Sequence, residues 1–162
     1  MTPNPLVRGT LLPAAGLLSE RGEPVSLRGR RGPAVLFAVH AHDCAGCVAY
    51  VGALAAAADA IAEWGGGLLV VVPETTDGAD DLHDAAAGRL RLLADHGRTL
   101  GAHLGPGAAA VLVADEWGEI HFAAETGLAH ELPSPGELVE WVRFIAIQCP
   151  ECEGPEGEWR NP

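Results

Sequence analysis

The sequence contains no lysine, because all ten of its basic residues are arginine. This absence excludes every reaction that needs a lysine amine. The chain also has no apolar run approaching the about 20 residues that cross a bilayer. It has no phosphate-loop or dinucleotide-binding glycine motif either. We therefore expect no membrane-spanning segment and no bound cofactor.

Positive charge is scarce beyond the first quarter of the chain. Residues 44–162 hold five arginines against nineteen acidic residues, and the formal net charge of the whole chain is −12. A nucleic-acid partner is therefore not expected. The first residues lack the basic start and continuous apolar segment of a secretory signal, which favours a cytoplasmic protein. In that compartment cysteine pairs are more often catalytic, regulatory or metal-bound than structural.

Two of the four cysteines, Cys44 and Cys47, lie where an apolar run ends and an alanine-rich helical stretch begins. This position places Cys44 at or near a helix N-terminus, where free N–H groups and the helix dipole favour a negative charge. The thiolate is the reactive form of cysteine. A second thiol one helical turn further on can reach the first, so the pair can cycle between dithiol and disulfide. The spacing predicts redox chemistry in which Cys44 attacks and Cys47 resolves.

A metal site is the alternative use of the same two cysteines, because two cysteines at this spacing are equally good zinc ligands. The chain holds a second pair of identical spacing, Cys149 and Cys152. All four together would make a four-thiolate zinc site. The protein would then be a zinc-binding or redox-sensing module rather than an enzyme.

Three polar residues precede the first cysteine. His40 and His42 alternate on an extended segment, so only one of them should face the cysteines, where it could move protons near neutral pH. We retain both as candidate catalytic residues, against the alternative of solvated loop histidines. For Asp43 a helix-capping role is preferred over proton transfer.

Hydrophobic patterning predicts an α/β domain. Continuous apolar runs at 34–39 and 68–72 are typical of strands buried on both faces. Apolar residues at three- and four-residue spacing after Cys47 predict one helix, which begins near Cys44 and runs to about Trp64. Further along, Asp77 should cap a helix over 79–87, and Arg98 to Leu104 could form a brief one. Two strands around 115–118 form a hairpin, and Ser134 and Pro135 start a last helix that runs to about Ile147.

The order of these elements resembles the thioredoxin superfamily. Within it, the closer likeness is to peroxiredoxin-like and thiol-disulfide proteins related to alkyl hydroperoxide reductase. The matching segments are Gly22-Glu23-Pro24-Val25-Ser26-Leu27, Leu92-Leu93-Ala94-Asp95 and Val111-Leu112-Val113-Ala114-Asp115-Glu116-Trp117-Gly118. The resemblance implies a three-layer fold with a central mixed sheet, flanking helices and an N-terminal β-hairpin. It also implies that 90–94 is a strand.

The sequence departs from that family at several positions. Ala109 stands where relatives carry a cis-proline facing the cysteines, so we expect a trans bond there and weaker substrate docking. A peroxiredoxin site also needs a proline and a threonine seven and three residues before its cysteine. Counted from Cys47 these positions hold His40 and Cys44, and counted from Cys44 they hold Phe37 and Ala41. Thiol peroxidase activity is therefore the alternative, not the first expectation.

The last fourteen residues, 149–162, form an acidic tail after a thioredoxin-like domain of residues 1–148. Cys149 and Cys152 in this tail have three possible roles: a secondary redox pair that relays electrons, a metal or structural pair, or a pair without a role.

We expect a thiol–disulfide oxidoreductase that acts on protein or small-molecule disulfides and takes electrons from a thiol donor. A homodimer is compatible with this expectation.

Overall fold

The computed structural model describes residues 4–127 and 131–148 of the chain. The strands are β1 (Leu17–Ser19), β2 (Pro24–Val25), β3 (Ala34–Ala38), β4 (Gly67–Pro73), β5 (Arg91–Asp95), β6 (Ala109–Ala114) and β7 (Ile120–Thr126). They form one seven-stranded sheet in the order β2-β1-β5-β4-β3-β6-β7. β4 runs parallel to both β3 and β5, and the other pairs are antiparallel. The predicted central mixed sheet with its N-terminal hairpin is confirmed.

β3 is an interior strand of the sheet, between β4 and β6, and every one of its side chains is apolar and buried. Its residues alternate between two cores on opposite faces of the sheet. Val35 and Phe37 pack with the apolar residues of the four α-helices. Leu36 and Ala38 pack on the other face, where Leu12 and Leu100 are among the residues that cover the sheet. The α-helices therefore form one outer layer, and the N-terminal segment with two short 3-10 turns forms the other.

The α-helices are α1 (Ala45–Ala56), α2 (Ala58–Glu63), α3 (Asp80–Ala86) and α4 (Pro135–Ala146). The prediction of one continuous helix as far as Trp64 is wrong in one respect, since the helix is interrupted between α1 and α2. There the backbone N–H of Ala57 donates to the carbonyl of Leu54 instead of continuing the α-helical pattern. Two 3-10 turns, His96–Arg98 and Gly101–His103, replace the predicted brief helix.

The start of α3 differs from the prediction that Asp77 caps it. Ala79 occupies the N-cap position, and none of the side chains that the structure describes caps this helix. Asp77 instead belongs to the preceding turn, where its backbone N–H donates to the Thr75 hydroxyl at 3.1 Å. Asp80 and Asp81 lie in the first turn of α3 as expected, where the helix dipole favours negative charge.

α4 begins as its sequence predicts. The Ser134 hydroxyl accepts a hydrogen bond from the backbone N–H of Glu137 at 3.3 Å, and Pro135 is the first helical residue. Pro133, just before this helix, accepts a 2.7 Å hydrogen bond from the Tyr50 hydroxyl on α1. At its other end, Gln148 lines a cavity together with Pro33, which precedes β3. α4 therefore starts beside α1 and ends at the other end of the sheet, where β3 begins.

The glycines after α2 allow a close approach between elements. A Cβ on Gly66 would lie 2.8 Å from side-chain atoms of both Ile61 and Val142. Only glycine fits this position without displacing α2 or α4. Within residues 4–127 and 131–148, no helix is both long enough and apolar enough to cross a bilayer.

Candidate active site

The candidate site lies at the carboxyl end of β3, where the chain turns into α1. Polar residues interrupt the apolar run after Val39, and the chain needs only a short turn before the helix begins at Ala45. Cys44 is the N-cap residue, with an extended backbone and a sulfur that accepts a hydrogen bond from the N–H of Cys47 at 3.3 Å. Cys44 thus lies at the helix N-terminus as predicted. The preferred capping role of Asp43 is wrong, because Cys44 occupies that position.

The two cysteines differ in exposure. Both are free thiols, Cys44 half-buried and Cys47 with no exposed surface. Burial raises the pKa of the Cys47 thiol to about 12, a hydrogen bond with the backbone of His40 opposes this rise, and the Cys44 thiol adds to it. At neutral pH Cys47 is therefore a thiol that must give up a proton before it can act as a nucleophile. Cys44 is the sulfur that a substrate can reach.

The two candidate histidines have different partners. The Nδ1 atom of His40 lies 3.5 Å from the sulfur of Cys47. His42 instead places its Nε2 atom 2.6 Å from the carbonyl oxygen of Thr75, in the loop after β4. The structure thus brings His40 to the cysteine pair and fixes His42 against a neighbouring loop.

Three possible metal-ligand atoms converge at the same place. A ring nitrogen of His40 and the sulfurs of Cys44 and Cys47 all lie within 4.8 Å of one another. Cys149 and Cys152 lie outside the described residues, so the four-thiolate site stays a prediction.

Ala109, at the position of the expected cis-proline, is the first residue of β6 and is fully buried. It belongs to the same apolar core as Cys47. No peptide bond is cis in residues 4–127 or 131–148, which agrees with the expected trans bond.

Tyr50 supports the site and was not predicted from the sequence. Its ring packs edge-on against Phe37, with centroids 4.8 Å apart, while its hydroxyl bonds to Pro133. Burial raises the pKa of this phenol, as does the nearby charge of Glu137. The residue lies three positions after Cys47, on the same helix face. Tyr50 is the only tyrosine of the chain, and its spacing from Cys47 is the sequence signal by which it could have been predicted.

Comparison with protein-family models identifies the relationship. The model described as the AhpC/TSA family matches residues 9–120, which include both cysteines, the strand before them and helices α1 to α3. The chain belongs to the AhpC/TSA family. Membership confirms the redoxin branch of the thioredoxin superfamily that the sequence resembles. It supports a redox role, as a thiol peroxidase or a thiol oxidoreductase. No curated protein matches the sequence.

Solved structures of three other proteins share the fold at low sequence identity. A peroxiredoxin-like protein from Aquifex aeolicus is 16% identical with a TM-score of 0.65, and the match covers 89% of this chain and 90% of that one. Peroxidoxin BcpB from Mycobacterium tuberculosis is 19% identical with a TM-score of 0.63, covering 88% and 98%. Peroxiredoxin Q from Xanthomonas campestris is 15% identical with a TM-score of 0.62, covering 83% and 96%. At these identities the likeness establishes the fold.

Proposed function

We propose that this AhpC/TSA-family protein is a thiol–disulfide oxidoreductase in which Cys44 attacks and Cys47 resolves. The observation that carries the proposal is the unequal placement of the two thiols. Cys44 is accessible at the helix N-cap, whereas Cys47 is buried one turn further on beside His40. An accessible attacking sulfur and a sequestered second sulfur are what a two-step exchange requires.

The first step is attack by Cys44 on a substrate disulfide. The N–H of Cys47 donates to the Cys44 sulfur, and this hydrogen bond and the helix dipole both stabilise negative charge there. A new S–S bond forms between Cys44 and one substrate sulfur, while the substrate S–S bond breaks. The other substrate sulfur leaves as a thiolate and takes a proton from solvent.

The second step is resolution by Cys47. Its thiol passes a proton to the Nδ1 atom of His40, and its sulfur attacks the Cys44 sulfur, which lies within 4.8 Å. The mixed disulfide breaks, the second substrate thiol is released, and a Cys44–Cys47 disulfide remains. A dithiol donor, supplied by another thiol protein, then reduces this disulfide and restores both thiols.

Turnover of a model disulfide tests the proposal. Metal-free full-length protein carrying Cys149→Ser and Cys152→Ser should reduce insulin catalytically, with dithiothreitol as electron donor. Adding Cys44→Ser should remove the catalysed rate, because no accessible nucleophile remains. In a separate reaction with insulin and no dithiothreitol, the variant that adds Cys47→Ser should leave Cys44 held in a mixed disulfide after one reaction. An unchanged rate in the Cys44→Ser variant would show that the assignment of the nucleophile is wrong.

A thiol peroxidase is the second candidate, and the AhpC/TSA family match favours it. The Cys44 thiolate would attack a peroxide oxygen, breaking the O–O bond and giving a sulfenic acid and an alcohol or water. Cys47 would then attack the sulfenic sulfur, releasing water and forming the same disulfide. The proline and threonine expected before such a cysteine are absent. Peroxide consumption that far outpaces disulfide reduction would favour this candidate.

A further inference from the structure

The cluster of His40, Cys44 and Cys47 offers a mixed nitrogen and sulfur ligand set. His40 lies just beyond β3, Cys44 is the N-cap residue of α1, and Cys47 lies in the first turn of that helix. All three potential ligand atoms are within 4.8 Å of one another. We propose that the reduced protein binds one Zn²⁺ ion through His40 Nδ1 and the sulfurs of Cys44 and Cys47.

The distances suit a tetrahedral ion with little movement. Zinc binds sulfur at about 2.3 Å and imidazole nitrogen at about 2.0–2.1 Å, so ligated N and S atoms lie about 3.6 Å apart. The observed separation between His40 Nδ1 and the Cys47 sulfur is 3.5 Å. Two ligated sulfurs lie about 3.8 Å apart, and since no pair in the cluster is wider than 4.8 Å, none has to close by more than about 1.2 Å. Rotation of the half-buried Cys44 side chain can supply that movement.

The ligand types favour zinc over the hard cations. Thiolate and imidazole are preferred by zinc and copper, whereas magnesium and calcium take oxygen ligands. Two thiolates also neutralise the charge of one Zn²⁺ ion. Three protein ligands leave a fourth position, and His40 and Cys44 are both half-buried, so water can fill it. His42 is not a ligand, because its Nε2 atom is directed to the Thr75 carbonyl.

Binding is coupled to the oxidation state of the two thiols. Two thiols and one Zn²⁺ ion give two zinc–sulfur bonds and two released protons, with no electron transferred. A Cys44–Cys47 disulfide has no thiolate to offer, so the zinc-bound and disulfide forms exclude each other. If the proposed oxidoreductase activity holds, zinc blocks both the attacking and the resolving sulfur. Zinc removal by a chelator then restores activity.

Zinc titration of the reduced full-length chain tests the proposal. The chain carries Cys149→Ser and Cys152→Ser, and the titration uses a chromophoric chelator as competitor. We expect one zinc per chain, and none after the Cys44–Cys47 disulfide has formed. His40→Ala and the closer isostere His40→Gln should each weaken binding by about tenfold or more, since even loss of a group that only orients a ligand costs about 10–100-fold. His42→Ala is the matched control and should keep the parent affinity. Cobalt(II) should give a thiolate charge-transfer band that disappears in Cys44→Ser.

Circular dichroism establishes that each variant is folded before its zinc affinity is compared. The proposal is overturned if the reduced chain binds no zinc, or if folded His40→Ala and His40→Gln variants bind as tightly as their parent. It is also overturned if binding needs Cys149 and Cys152, because the ion then lies in a four-thiolate site. Insulin reduction in the presence of chelator separates the two proposals. Activity without zinc binding removes only the metal site, and zinc binding without activity removes only the oxidoreductase.

Discussion

The Nδ1 atom of His40 lies 3.5 Å from the buried sulfur of Cys47, whereas His42, two residues later, contacts the carbonyl of Thr75. Neighbouring histidines of the same turn thus have different surroundings. In the proposed resolution step the thiol of Cys47 needs a proton acceptor, because burial raises its pKa to about 12. His40 is placed to be that acceptor.

Replacing His40 by Ala should therefore slow resolution more than the first attack. We expect the mixed disulfide to persist at least about tenfold longer, since general acid–base catalysis contributes about 10²–10⁴-fold. Stopped-flow measurement of the two thiol-release phases separates the steps. His42→Ala is the comparison variant and should lengthen the second phase less. Equal lengthening by both variants would remove His40 from its proton-transfer role.

The difference in exposure predicts the order of alkylation. In reduced, metal-free protein carrying Cys149→Ser and Cys152→Ser, iodoacetamide should modify Cys44 first. Cys47 has no exposed surface and should react only after local opening of α1. Peptide mass spectrometry at successive times measures both sites. Faster labelling of Cys47 would reverse the assigned roles of the two sulfurs.

Asp115 predicts a pH-dependent contribution to stability. Burial opposes ionisation of this carboxyl, but hydrogen bonds from His121 and from the backbone N–H groups of Glu119 and Trp117 outweigh it and lower the pKa. A carboxyl with a lowered folded pKa stabilises the fold above its unfolded pKa, about 3.9. That stabilisation disappears as the pH falls through the folded pKa.

Asp115→Asn should thus lower the free energy of unfolding by about 1 kcal/mol at pH 7. The difference from wild type should shrink as the pH falls below about 4. Urea denaturation at several pH values measures it. Glu119→Gln, in the same turn and exposed, is the matched control. A difference that stays constant down to low pH would contradict the assigned ionisation.

The end of α4 limits what the tail cysteines can reach within one chain. Gln148 lies near Pro33, before β3, whereas Cys44 follows the far end of that strand. Residues 34–39 extend roughly 20 Å at about 3.3 Å per residue. Cys152 is four residues beyond Gln148 and reaches about 14 Å at most. A disulfide spans about 6 Å between Cα atoms, so with α4 intact Cys149 should not reach Cys44 of its own chain, and Cys152 could reach it only with the tail fully extended.

In Cys47→Ser protein, a disulfide between Cys44 and Cys149 should therefore join two chains. Its yield should rise with protein concentration on a non-reducing gel. A monomer that contains a Cys44–Cys149 linkage would contradict this expectation. It would support the alternative in which the tail relays electrons within one chain.

Much of the fold follows from local patterns in the sequence. The apolar run of β3 predicts a strand buried on both faces, and Ser134 followed by Pro135 predicts the start of α4; both are confirmed. Identification of 90–94 as a strand needed the family resemblance, because its short apolar run fits a helix or a strand equally well. In the structure, pairing with β4 and β1 is what makes this segment a strand rather than a helix.

Other details depend on contacts that no local pattern encodes. The break between α1 and α2 falls within a run of alanines, where neither proline nor glycine marks it. Asp43 and Cys44 are adjacent, and Asp43 has the better capping propensity, yet the turn places Cys44 at the N-cap. The choice between His40 and His42 likewise depends on the loop after β4, which supplies the Thr75 carbonyl.

Trapping the first intermediate tests the proposed chemistry most directly. The Cys47→Ser and Cys44→Ser variants are compared, each metal-free and each also carrying Cys149→Ser and Cys152→Ser. Each variant is mixed at neutral pH with a limiting amount of the aromatic disulfide 5,5′-dithiobis(2-nitrobenzoate). The proposal predicts rapid release of one thionitrobenzoate for each reagent molecule that Cys47→Ser consumes, with the other half bound to Cys44 by mass. The Cys44→Ser variant should react slowly, through a buried thiol. Equal rates in the two variants, or adducts mainly on Cys47, would contradict Cys44 as the attacking sulfur.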